Sequence, residues 1–115
     1  MILDEIMADR RTQLQREKEA ISPEEMRQRA LALPPEGHRL KRALEERGFL
    51  VIAEVKKASP SKGIIAGDFR PLEQALAYEA GGAGAISVLT EEARFQGRNS
   101  YLEEIAGRVA IPCLR

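Results

Sequence analysis

An α/β fold on a parallel sheet is predicted by three short runs of strand-forming apolar residues, Phe49 to Ala53, Ala85 to Leu89 and Ala110 to Leu114, separated by segments of helical pattern. The strand starts recur after 36 and then 25 residues. That is close to the roughly 30-residue repeat of βαβ units, so right-handed crossovers are expected. The order is β-α-β-α-β, and both a doubly wound sheet and part of a closed barrel fit it.

Before the first strand the chain reads as helical. Ile2, Leu3, Ile6, Met7 and Leu14 fall near one stripe, with Arg10, Arg11, Arg16 and Lys18 on other faces, as in an amphipathic helix. Ser22-Pro23-Glu24-Glu25 combines a capping hydroxyl, a proline at the first helical position and a glutamate three residues after the cap, so a second helix starts there. Pro34-Pro35-Glu36-Gly37 ends it, and a short charged helix follows from about His38 to a stop at Gly48. Residues 1–48 carry 10 acidic and 10 basic groups, against 8 and 8 in the 67 residues that follow. This places a solvated helical extension at 1–48 and the β-α-β-α-β portion at 49–115.

In the second part, a polar loop from Lys56 to Asp68 leads to Pro71, after which Leu72, Ala75, Leu76 and Tyr78 form a helix ended by Gly81-Gly82. The loop Thr90 to Asn99 precedes a helix through Leu102 and Ile105. The apolar strands are expected to be buried on both faces, yet two crossover helices cannot cover a three-stranded sheet on both sides. The 115 residues therefore read as part of a larger fold.

Composition narrows the function classes. The chain is 43% hydrophobic and 31% charged, with 18 Lys+Arg against 18 Asp+Glu, so it lacks the net positive field by which nucleic acids or anionic membranes are usually held. Its longest apolar runs fall far short of the roughly 18 residues of a membrane span, and the acidic start at Asp4, Glu5 and Asp9 is unlike a signal peptide; a cytoplasmic location is expected. One cysteine, Cys113, excludes an internal disulfide, and with one histidine, His38, there is no His/Cys zinc set. Cys113 lies in an apolar run, where an inert buried thiol is the commoner outcome. No metal or organic cofactor is indicated.

Chemistry is expected just past the C-terminal ends of parallel strands. Glu54 and Lys56 stand there, and strand alternation sends both to one face, where they pair or share a ligand. A purely structural ion pair is the plain alternative. Lys56-Lys57-Ala58-Ser59-Pro60-Ser61-Lys62-Gly63 adds cations and hydroxyls suited to a carboxylate or phosphate, although a solvated lysine loop has the same composition. The G-x-x-x-x-G-K-[ST] spacing is absent, so no nucleoside triphosphate site is inferred. After the second strand, Ser87, Thr90, Glu91, Glu92 and Phe95 form a further polar cluster with one aromatic; taken singly, each is more often a cap, turn or packing residue. Gly97 most simply permits a turn.

The wording of these segments is specific. Ile52-Ala53-Glu54-Val55-Lys56-Lys57-Ala58-Ser59-Pro60-Ser61-Lys62-Gly63 resembles the signature stretch of the indole-3-glycerol-phosphate synthase family. The resemblance continues through Asp68-Phe69, Tyr78-Glu79, Gly82-Ala83, Ser87-Val88-Leu89-Thr90-Glu91 and Phe95-Gln96-Gly97, and Ile2-Leu3-Asp4-Glu5-Ile6 is similar to the family's helical extension. It covers the whole chain but only the first half of the enzyme, stopping at Arg115 just before the family's Lys-Asp-Phe segment.

The resemblance implies the N-terminal part of a (β/α)8 TIM barrel, with three parallel strands present. The implied enzyme is a carboxy-lyase of tryptophan biosynthesis that closes the indole ring of 1-(2-carboxyphenylamino)-1-deoxyribulose 5-phosphate with loss of carbon dioxide and water. It implies that Glu54 and Lys56 are the catalytic pair of the first strand, Lys56 engaging the substrate carboxylate and assisting proton transfer, that Ser59 contacts substrate, and that Phe95 packs on its aromatic ring. The family's principal acid lysine, its later glutamate base and its phosphate-gripping loops lie beyond Arg115, so the chain alone is expected to be inactive and to need a complementary C-terminal half-barrel. Two other readings stand beside this one: another phosphate-binding barrel such as phosphoribosylanthranilate isomerase, and a non-catalytic half-barrel docking module. The pairing of Glu54-Val55-Lys56 with Ser59-Pro60-Ser61 weighs against the isomerase.

Overall fold

The computed structural model describes residues 1–115, which divide into two compact units, Met1–Gly37 and His38–Arg115. The first unit holds α1 (Ile2–Ala20) and α2 (Pro23–Leu31). Within α1, Glu17 gathers Arg10, whose two terminal nitrogens each lie 3.2 Å from Oε2, and Gln13, which donates to Oε1 at 2.9 Å. The apolar side chains Ile2, Leu3, Met7 and Leu14 are exposed. The start of α2 is as the sequence predicts, with the Ser22 hydroxyl accepting the Glu25 N–H at 3.2 Å and Pro23 at the first helical position. The Glu25 carboxylate pairs forward along the helix with Arg29, which donates from Nε at 3.1 Å.

The second unit opens with α3 (Arg39–Arg47), closed by Gly48 at φ +67°, whose N–H reaches the Leu44 carbonyl at 2.8 Å. It continues through β1 (Ile52–Val55), β2 (Ala58–Ser59), β3 (Gly63–Ile64), α4 (Pro71–Ala80), β4 (Ala85–Val88), α5 (Asn99–Ala106) and β5 (Cys113–Leu114). A parallel sheet forms in the order β1-β4-β5, in register Glu54 with Ser87 and Ser87 with Leu114. Both helical crossovers and all three expected parallel strands are present.

Three details depart from the sequence reading. The first strand starts at Ile52 and takes in Glu54 and Val55, so Glu54 belongs to the ladder and does not follow it. The third is confined to Cys113 and Leu114, because Pro112 has no N–H to extend pairing toward its N-terminal side. Inside the loop after β1, β2 and β3 form an unforeseen antiparallel hairpin, in register Ala58 with Ile64 and Ser59 with Gly63.

Burial is mainly one-sided where two-sided burial is expected, with Ala85 the fully buried residue of the other face. Ala53, Val55, Ile86 and Val88 share the face packed with Leu72, Ala75, Leu76 and Tyr78 of α4 and Tyr101, Leu102 and Ile105 of α5. Ile86 and Ile105 are fully buried, and each such side chain contributes about 1.5–3 kcal/mol. Phe69 meets Tyr101 edge to face, centroids 5.4 Å apart. The opposite face leaves Ile52, Glu54 and Leu114 exposed, and Phe49, expected in the strand, is 80% exposed ahead of it.

A bracket fixes the approach to β5. The Glu79 carboxylate at the end of α4 accepts the N–H groups of Ala110 at 2.6 Å and Ile111 at 3.2 Å, while Arg39 of α3 donates to the Ala110 carbonyl at 2.6 Å. Helices on either side of β1 in sequence thus determine where the last strand enters the sheet.

Candidate active site

The site is built where the parallel strands end. Glu54 is the third residue of β1 and Lys56 the first beyond it, so the two-residue period carries both side chains to the sheet face that the helices leave open. They meet as an ion pair, Lys56 Nζ 3.6 Å from Glu54 Oε1, with Lys56 33% and Glu54 48% exposed. At that exposure their mutual attraction is worth little to stability, in the range of about 0–1 kcal/mol. Both groups stay open to a ligand. The backbone beneath them is held from the helical side: Gln74 donates to the Tyr78 hydroxyl at 2.8 Å, and that hydroxyl donates to the Glu54 carbonyl at 3.3 Å.

Ser59 is buried at the first corner of the hairpin. Its Oγ accepts the Lys62 N–H at 3.3 Å, closing the turn, while its own O–H stays available as a donor. The far end of the hairpin returns to Lys57, whose carbonyl accepts Ile65 N–H at 2.8 Å and Ala66 N–H at 3.2 Å. Phe95, half-buried, lies on the loop leaving β4, the strand paired with β1. Of the four side chains singled out in the sequence, Glu54 and Lys56 touch, whereas Ser59 and Phe95 stand on the loops leaving β1 and β4.

That second loop is tied down by one residue. The Glu91 carboxylate accepts three backbone N–H groups, those of Ala93 and Arg94 at 2.8 Å each and of Phe95 at 3.1 Å. Its own carbonyl accepts Gly97 N–H at 2.8 Å. Of the cap, turn and packing roles open to the residues of this cluster, Glu91 takes that of a cap. Gly97 has a different reason from the one expected: its φ is not left-handed, but a Cβ there would lie 2.3 Å from the Leu89 carbonyl oxygen, so glycine serves close backbone approach. The left-handed residue of this loop is Gln96, at φ +51°.

Beside these loops an open cleft of about 610 Å³ is lined by Lys57, Glu92, Gln96, Arg98, Asn99 and Tyr101, among others. Arg98 and Asn99 were not singled out in the sequence. The signal for them is positional, since they begin α5 directly after a strand-end loop. Arg115 crosses to this region, donating to Thr90 Oγ1 at 3.2 Å and Asn99 Oδ1 at 2.9 Å. Cys113 lies on the helix-covered side, where burial pushes its thiol above the ordinary value; nearby Arg39 lowers it and Glu79 raises it. A half-buried thiol with a raised pKa is a poor nucleophile, as its apolar surroundings in the sequence suggest.

A parallel sheet with helical crossovers, carrying an accessible acid and lysine at its C-terminal edge, defines a protein of the α/β class with a candidate site at the strand ends. Comparison with known proteins makes this particular. The family model for indole-3-glycerol phosphate synthase matches residues 3–115, and the chain belongs to that family. It is 45% identical over 118 residues to the indole-3-glycerol phosphate synthase of Aliarcobacter butzleri, which covers all of this chain and 45% of that protein. To the one of Clostridium acetobutylicum it is 39% identical over 115 residues, covering all of this chain and 44% of the relative. To that of Bacillus pumilus it is 50% identical over 91 residues, 74% of this chain and 36% of the relative. The chain thus spans less than half the length of the curated relatives it matches.

Proposed function

We propose that these residues form the first part of a (β/α)8 barrel that converts 1-(2-carboxyphenylamino)-1-deoxyribulose 5-phosphate into indole-3-glycerol phosphate in tryptophan biosynthesis. In this reading residues 1–48 are the helical extension and 49–115 the first staves. The observation that carries the proposal is the Glu54–Lys56 pair on the open face of β1, within a chain matched to the family from residue 3 to residue 115.

The roles follow from the chemistry. Ring closure joins an aromatic carbon to the ketone carbon of the sugar, releases the carboxylate as carbon dioxide, and then expels the former carbonyl oxygen as water, so a proton must reach that oxygen. Lys56 binds the substrate carboxylate and assists this transfer. Glu54 sets the position of the ammonium group through the pair. Ser59 donates its free O–H to the substrate, and Phe95 gives an apolar surface to the anthranilate ring. The remaining staves, supplied as a complementary C-terminal half-barrel, cover the face on which Ile52, Glu54 and Leu114 are open. A soluble phosphorylated substrate goes with a cytoplasmic enzyme, and no helix is long and apolar enough to cross a membrane.

The test is a full-length barrel in which these 115 residues replace the matching segment of the Clostridium acetobutylicum synthase, assayed by indole fluorescence of the product. Turnover that falls about 10²- to 10⁴-fold in Lys56→Ala is the expected result. A folded barrel that forms no product from this substrate overturns the proposal.

A further inference from the structure

The loop leaving β4 is folded around one side chain. Glu91 Oε1 accepts the N–H of Ala93, and Oε2 accepts those of Arg94 and Phe95. The main chain of the same residue closes the far end, its carbonyl receiving the Gly97 N–H at 2.8 Å. Gly97 itself presses so close to the end of β4 that an added Cβ would lie 2.3 Å from the Leu89 oxygen and 2.7 Å from the carbonyl carbons of Leu89 and Thr90. Residues 91–97 are therefore pinned at both ends and in the middle.

Two consequences follow. With both oxygens engaged by backbone donors, Glu91 is poorly placed to act as an acid, a base or a direct substrate ligand, unlike Glu54, whose carboxylate lies in the open. The residue whose backbone it holds last is Phe95. Charge-assisted bonds of this kind are roughly twice as strong as neutral ones, so the main chain entering Phe95 is held firmly at its N–H.

We propose that Glu91 is a positioning residue for substrate recognition: by binding the N–H groups of residues 93 to 95 it presets the backbone from which Phe95 offers its ring. The inference rests on the reading of Phe95 as the contact for the substrate's aromatic ring. Without the carboxylate the loop samples other conformations, and substrate must order it on binding, which weakens binding and leaves the chemical step unchanged.

The test uses the full-length barrel with Glu91→Gln, Glu91→Asp, Phe95→Ala and the Glu91→Gln/Phe95→Ala double variant. Glu91→Gln keeps one acceptor oxygen but turns an amide N–H₂ toward a backbone donor. It should raise KM on the order of tenfold with kcat within about threefold, and amide exchange at residues 93 to 95 should accelerate while the β1 and β4 amides keep their protection. Glu91→Asp, which keeps the charge on a shorter arm, should recover part of the KM. In the double variant the two KM effects should fail to multiply, because Glu91 acts through Phe95. Unchanged exchange at residues 93 to 95, or KM effects that multiply in full, overturns the positioning role. If Phe95→Ala leaves KM unchanged, the ring-contact reading fails and takes this inference with it. If Phe95→Ala raises KM but Glu91→Gln does not, the inference alone fails.

Discussion

Replacing Gly97 by alanine should damage the protein through steric overlap alone, and the structure allows the size of the effect to be set. The new Cβ would meet the Leu89 oxygen at 2.3 Å and the carbonyl carbons of Leu89 and Thr90 at 2.7 Å. Ordinary contacts between such atoms lie near 3.5 Å, so the overlap is about 1 Å. Every struck atom is backbone, at the end of a strand paired on both sides, and none can rotate aside. The cost should reach the upper part of the range for overpacked sites, about 2–3 kcal/mol. Two other glycines isolate the cause. Gly63 has open space around it but φ +63°, so Gly63→Ala should cost about 1–2 kcal/mol from backbone conformation. Gly67 has open space and no left-handed φ, and Gly67→Ala should be neutral or stabilise by up to about 1 kcal/mol, because alanine restricts the unfolded chain. Urea unfolding followed by circular dichroism gives all three on one scale, provided the m-values agree. The reasoning is refuted if Gly97→Ala is no more destabilising than Gly67→Ala.

Other substitutions probe separate parts of the molecule. Lys56→Ala in the full-length barrel should lower kcat about 10²- to 10⁴-fold with an unchanged circular dichroism spectrum; an unaltered rate would remove Lys56 from the mechanism. Glu79→Ala strips the acceptor from the N–H groups of Ala110 and Ile111 and should cost about 1–3 kcal/mol in urea unfolding, whereas a loss under about 0.5 kcal/mol would mean that water replaces the carboxylate. Ser22→Ala removes the cap of α2 and should cost about 1 kcal/mol, read as reduced helicity or a lower midpoint. Cys113 should alkylate more slowly at pH 8 than a free thiol. Its folded pKa lies above the unfolded value, so the stability it contributes is complete below the unfolded pKa and lost as pH rises through the folded one; unfolding free energy should decline above about pH 9, and Cys113→Ser should flatten that decline.

Local chemistry made the helices legible. Ser22-Pro23, Gly48, Pro71 and Gly81-Gly82 each act within a turn of their own position, and each marks a helix end in the structure. Strand limits depend on partners, and there the sequence is a weaker guide. Phe49 and Leu50 look like strand residues, but the ladder starts only where β4 is opposite, Ile52 against Ala85. Hydropathy also leaves open which sheet face is covered: Ile52 and Ile86 are the same residue type, one exposed and one fully buried. The hairpin at Ala58–Ile64 has strands of two residues each, too short for any periodicity. At the site, the approach of Glu54 to Lys56 follows from the two-residue period alone. The hold of Glu91 on its loop is a side chain bonding to main chain, which no spacing pattern encodes. The roles given to Ser59 and Phe95 come from family likeness, and local physics supplies only their positions.

The hairpin after β1 bears on how this scaffold tolerates change. Glu54 is fastened by the strand ladder and Lys56 stands one residue past its end, whereas Pro60 to Lys62 form an outward tip beyond the buried corner at Ala58 and Ser59. Insertions or exchanges between positions 60 and 62 should therefore reshape the rim without moving the pair. The same graft started two residues earlier would cut into the packed corner. A library aimed at altered ligand binding has a natural seam at that point.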